Sequence, residues 1–97
     1  MDGQTGKSQR AIISVFGRDR IGIIAWVSGR LQEYSINILD INQTILQGFF
    51  TMIMIVDLSP ASVEVAELAR TLEQEGKERG LQVNVQHEDI FNFMHRI

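Results

Sequence analysis

The sequence predicts a single α+β domain of order β-α-β-β-α-β folded as a two-layer sandwich. Two observations carry the prediction. The hydrophobic period switches between two residues and three to four residues in that order along the chain, and a glycine-ended dipeptide joins the two longest strand-like runs. The chain has 97 residues, 44% of them hydrophobic, 22% charged and one a proline, which is enough for one core and too little for two.

Residues 11–16 (AIISVF) are short, β-branched and closed by Gly17, so they form β1 with Ala11, Ile13 and Val15 on one face. From Arg20 to Tyr34 the apolar positions Ile24, Val27, Leu31 and Tyr34 recur at helical steps, defining α1 with Asp19 as its expected N-cap. Residues 37–46 (NILDINQTIL) alternate as β2, with Leu39, Ile41 and Ile45 on one side and Asp40, Asn42 and Thr44 on the other. Gln47-Gly48 then links β2 to β3, residues 49–58, as a hairpin turn or a bulged variant of one. β3 is apolar on both faces and is expected to be an inner strand. Ser59-Pro60 reads as a cap and first-turn pair for α2, with Val65, Leu68, Ala69 and Leu72 inward and Gly80 closing the helix. The outward face of α2 carries Glu73/Lys77 and Glu75/Arg79 as helix pairs. Leu81, Val83 and Val85 alternate as β4.

Two right-handed βαβ crossovers of this kind give a ferredoxin-like sandwich with antiparallel sheet order 4-1-3-2. A short C-terminal helix is expected beyond β4, where Ile90, Phe93, Met94 and Ile97 make one apolar stripe suited to covering the outer face of β3, either on its own sheet or on a partner's. Residues 1–10 read as a flexible polar tail and residues 11–97 as the domain.

Composition excludes several functions. A net charge of -3 offers phosphate backbones and anionic lipid no overall attraction, so neither nucleic acid nor a membrane is an expected partner. No cysteine is present, which removes disulfides and thiolate chemistry and fits a cytoplasmic location. Gly48-Phe49-Phe50 echoes an RNA-recognition motif but lacks its basic residue and its later aromatic. Arg18 and Arg20 would suit the phosphate cradle of an acylphosphatase-like hydrolase, yet the glycine-rich loop and a paired base and nucleophile are missing. His87, Glu88, Asp89 and His95 are metal-capable but poorly spaced, and no metal or cofactor is expected.

The informative segment is the β1/α1 connection, Gly17-Arg18-Asp19-Arg20-Ile21-Gly22. A helix N-terminus there presents unpaired N–H groups able to hold a carboxylate. Asp19 and the side-chain carbonyl of Asn37 could accept from an ammonium group, and Gly22 would permit close approach. The same residues could equally cap, turn and pack. Gln43 shares the inward face of Ile41 and Ile45, and a buried amide needs a partner, whether ligand, backbone or second subunit.

The stretch from Ala11 to Gln43, with GRDRIG after β1 and SINILDINQ after α1, resembles an ACT domain, the small-molecule-sensing module of many amino-acid metabolic enzymes. It is most similar to stand-alone ACT-like proteins of bacteria and archaea and to one half of the glycine cleavage system transcriptional regulator. The resemblance implies a non-enzymatic regulatory domain that pairs into a homodimer, a tetramer being left open, and binds an amino acid at the interface. It marks Asp19, Arg20, Ile21, Gly22 and Ile23 in the loop and first turn, and Asn37 and Ile38 on β2. Ile21 stands where amino-acid-sensing members often carry proline, which implies a less rigid loop. The alternative function left standing is a purely structural dimerisation module.

Overall fold

A computed structural model of the chain describes residues 9–18 and 21–89. Its elements are β1 (Arg10–Gly17), α1 (Ile23–Glu33), β2 (Asn37–Leu46), β3 (Phe49–Asp57), α2 (Val65–Glu78) and β4 (Gln82–His87). The four strands are antiparallel in the order β2-β3-β1-β4, the expected sandwich order. The expected C-terminal stripe and Asp19 and Arg20 lie outside the described residues.

One face of the sheet builds the core. Ala11, Ile13 and Val15 of β1 lie opposite Val56, Met54 and Met52 of β3, and all six are fully buried. The helices cover them with Ile23, Trp26, Val27 and Leu31 from α1 and with Leu68 and Leu72 from α2. On the other face Phe16 and Ile53 remain exposed.

Several local expectations change. The N-cap of α1 is Gly22, in the left-handed conformation at φ 77°, rather than Asp19, and among the described residues no side chain caps the helix. Because the helix begins at Ile23, its inward stripe runs Ile23, Trp26, Val27, Leu31, and Ile24 turns outward. The chain leaves α1 through Ser35 at φ 60°, with Ser35 N–H donating to the Gln32 carbonyl and Ile36 N–H to that of Leu31. α2 ends on the same pair of bonds, Gly80 to Lys77 and Leu81 to Gly76, with Gly80 at φ 76° as expected of a helix-closing glycine.

Ser59-Pro60 does not start α2. The Asp57 carboxylate accepts from both Ser59 N–H (2.9 Å) and Ser59 Oγ (2.7 Å). This short-range bonding competes with helix initiation and makes a turn, so α2 begins six residues after Ser59, at Val65. The two Ser59 bonds, the backbone one first, hold the Asp57 carboxyl below its ordinary range.

The β2/β3 link is the tight turn, not the bulged variant: Gln47 (φ 55°) and Gly48 (φ 83°) are both left-handed and Leu46 pairs directly with Phe49. The irregularity falls instead between Ile38 and Asp40. It takes Leu39 out of register, so the side facing the helices carries Ile38, Ile41, Gln43 and Ile45, opposite buried Val56, Met54, Met52 and Phe50. Gln43 is nonetheless exposed, because β2 is the outermost strand and the helix layer leaves it uncovered.

Candidate functional site

β1 delivers the chain to the sheet end at Gly17, which pairs with Phe50, and α1 begins five residues after Arg18. The first intrahelical bond runs from Trp26 N–H to the Gly22 carbonyl at 2.9 Å. The N–H groups of Ile23, Ile24 and Ala25 therefore precede the ladder, as at any helix start. Ile21 is 86% exposed, whereas Ile23 is buried in the core. Ile21, Gly22 and Ile23 line a small depression of about 100 Å³ together with Arg79 and Leu81.

The other expected site residues stand elsewhere. Asn37 pairs with Asp57 and Ile38 with Val56, at the end of β3 remote from Phe50, the partner of Gly17. Seven strand positions separate those ends, roughly 23 Å at the ordinary rise per residue. Gln43 lies between them, opposite Met52. One chain thus brings Ile21, Gly22 and Ile23 together and holds Asn37, Ile38 and Gln43 apart from them.

β2 explains what the separation leaves open. All ten of its residues are exposed in the single chain, although five are large and apolar: Ile38, Leu39, Ile41, Ile45 and Leu46. An outer strand with this composition is a template for pairing with another chain.

A second polar cluster, which the sequence alone does not single out, joins the helices. Trp26 Nε1 donates to Glu75 Oε1 at 2.7 Å, and Arg30 Nε donates to the same oxygen at 2.9 Å. Arg30 Nη2 donates to Glu75 Oε2, and Arg30 Nη1 donates to Glu33 Oε1 at 2.9 Å. Helical spacing pairs Glu75 with Arg79 along α2, but the carboxylate turns across to α1 because two donors converge there. Helical periodicity identifies an outward position without identifying what faces it from a neighbouring helix.

The Arg30 bonds, reinforced by Trp26, hold the Glu75 carboxyl below its ordinary range against the opposing effect of burial. Glu75 therefore favours the folded state when ionised. This contribution is present above the unfolded carboxyl value of 4.5 and disappears as pH falls through the lower folded value. Because Arg30 is partly exposed, Glu75→Gln is expected to cost only about 1 kcal/mol at neutral pH. Urea denaturation at neutral pH and near pH 3 checks this: the gap between the two proteins should shrink in acid.

The four-stranded antiparallel sheet with both helices on one side defines a ferredoxin-like βαββαβ sandwich. The ACT domain family model matches residues 9–86, and the chain belongs to that family. Among its relatives is a UPF0237 protein of Methanocaldococcus jannaschii, 56% identical over 88 residues that make up 91% of this chain and 98% of the relative. An ACT domain protein from Streptococcus pneumoniae superposes with a TM-score of 0.76 at 38% identity, over 88% of this chain and 96% of that one. A putative glycine cleavage system transcriptional repressor superposes with a TM-score of 0.69 at 26% identity, over 80% of this chain and 44% of the longer protein. ACT domains are regulatory modules that typically bind small molecules and often dimerise. Among the described residues no helix is long and apolar enough to cross a membrane, and no group of three or more His, Asp or Glu side chains is placed to hold a metal ion.

Proposed function

We propose that this chain is a non-enzymatic, cytoplasmic regulatory domain that binds an amino acid at the interface of a homodimer formed along β2. The observation that carries the reading is that β2 is exposed along its whole length while bearing five large apolar side chains. Antiparallel pairing of two β2 strands about a two-fold axis sets the Asn37 end of one copy beside the Leu46 end of the other. Leu46 belongs to the same end of the sheet as Gly17 and the start of α1. The pairing therefore supplies, from two copies, the combination that one copy keeps apart. The first-turn N–H groups of Ile23, Ile24 and Ala25, beside Ile21 and Gly22, suit a carboxylate, and the Asn37 carbonyl suits an ammonium group, with Ile38 and Gln43 along the shared strand. Asp19 and Arg20 belong to the same loop in sequence and complete the proposed set.

The same exposed strand favours a second reading, a dimerisation module with no ligand. A thermal-shift panel of free amino acids separates the two. A bound ligand at one hundred times its Kd should stabilise the fold by about 2.7 kcal/mol. Asn37→Ala should abolish that shift while leaving the unliganded melting temperature close to the parent's, because Asn37 is exposed. A dimer that responds to no amino acid would leave the structural module standing.

A further inference from the structure

We propose that the cleft between Arg18 and Arg79, at the hairpin end of the sheet, binds a small dianion, either a dicarboxylate or a phosphomonoester. Its volume is about 440 Å³, and Phe16, Phe49, Leu81 and Gln82 complete its walls. Among the described residues one chain supplies all of its lining, and none of it comes from β2.

Each arginine guanidinium lies over an aromatic ring. The Arg18 guanidinium lies over Phe49 at 5.3 Å from the ring centroid, and Phe49 is in turn stacked on Phe16 at 5.3 Å with an interplanar angle of 13°. The Arg79 guanidinium lies over Trp26 at 4.7 Å. A ring beneath a guanidinium favours one placement of the cation while its N–H groups can still reach an anion, which lowers the cost of ordering the group around a ligand.

Neither cation has a carboxylate within ion-pair distance among the described residues, although Arg79 is near enough to Glu75 to help lower that carboxyl. Arg10 and Arg30 differ in this respect, since Glu88 and Glu75 neutralise them. No acidic side chain lines the cleft among the described residues, although the chain as a whole carries a net charge of -3. Two cations lining one cleft match a ligand with two negative charges better than one with a single charge, because each charge can take its own charge-assisted hydrogen bonds. Gln82 adds an amide that can donate, and the Phe16/Phe49 pair shields one side from water.

The test is calorimetric titration of the full chain with inorganic phosphate and with succinate at fixed ionic strength and about pH 8, where both are mainly dianions, with acetate as the singly charged control. At least one dianion should bind, acetate should bind at least about tenfold more weakly, and Arg18→Gln and Arg79→Gln should each weaken the dianion by about tenfold or more. Phosphate alone would identify a phosphorylated ligand, and succinate alone a dicarboxylate. If Arg79→Gln also lowers the melting temperature by removing the contact with Trp26, Arg79→Lys keeps a cation there and should bind more tightly than the glutamine variant. Failure of both dianions to bind, equal binding of acetate, or loss in only one of the two arginine variants overturns the proposal. An amino-acid response lost in Asn37→Ala but retained in both arginine variants would leave the interface site standing and this one independent of it.

Discussion

Gly76→Ala is expected to destabilise the domain by about 1 to 3 kcal/mol, although the same change at an open helical position stabilises by up to about 1 kcal/mol. Gly76 lies in α2 where the helix rests on β4 and on Trp26 of α1. A Cβ built there would meet Val83 Cγ2 at 2.4 Å, Val83 Cβ at 3.3 Å and Trp26 Cη2 at 3.4 Å. Val83 cannot yield cheaply, because a β-branched side chain is stiff at χ1 and its strand is pinned to β1 through the pair Val15/Val83. The helix must lift instead, loosening Leu72 and Leu68, which are fully buried on the same element. Gly29 in α1 provides the internal contrast, since a Cβ there meets nothing within 4 Å. Gly29→Ala should therefore raise the urea midpoint while Gly76→Ala lowers it. A double-mutant cycle checks the cause: Val83→Ala should be tolerated better in the Gly76→Ala background than in the parent, giving a coupling of about 1 kcal/mol or more. Additive effects of the two substitutions would show that close approach to Val83 is not what makes glycine necessary.

That case illustrates which features a linear pattern reveals. The alternation of β1 and β3, the Gln47-Gly48 turn and the role of Gly80 are local, and each is legible because one residue's backbone or one strand's period decides it. The start of α2 is also local but ambiguous: Ser59-Pro60 suits a helix start and a turn alike, and the carboxylate of Asp57 decides for the turn. The irregularity at Leu39 leaves no mark in the alternation, so the sequence pattern puts Leu39 in the inward set of β2 where the structure has Ile38. Gly76, the Glu75 cluster and the Arg18/Arg79 cleft are juxtapositions of segments far apart in the chain. Periodicity marks their positions as outward or inward without naming a neighbour. The proposed ligand residues sit between these cases. Their loop and strand are recognisable by resemblance, yet a single copy divides them between opposite ends of the sheet.

Placing two lysines on β2, as Ile41→Lys with Ile45→Lys, is expected to convert the proposed dimer into a folded monomer. Both side chains are exposed in the single chain, at 38% and 53%, so the monomer loses little by the change. In a dimer paired along β2 each substitution occurs twice, and four apolar side chains of the interface would be replaced by ammonium groups. Burial of each apolar side chain stabilises by about 1.5 kcal/mol or more, so even partial loss at four positions should raise the dimer dissociation constant by about a hundredfold or more. Sedimentation velocity across micromolar concentrations checks the prediction, with circular dichroism confirming that the fold survives. Ile53→Lys serves as the control. It is 43% exposed on the opposite face of the sheet, beside the pairing edge rather than on it, and should leave the dimer intact. Dissociation by Ile53→Lys, with the β2 double variant still dimeric, would put the interface on the open sheet face. Asn37 of one copy would then have no route to the first turn of α1 in the other, and the amino-acid site proposed along β2 would fall with the interface.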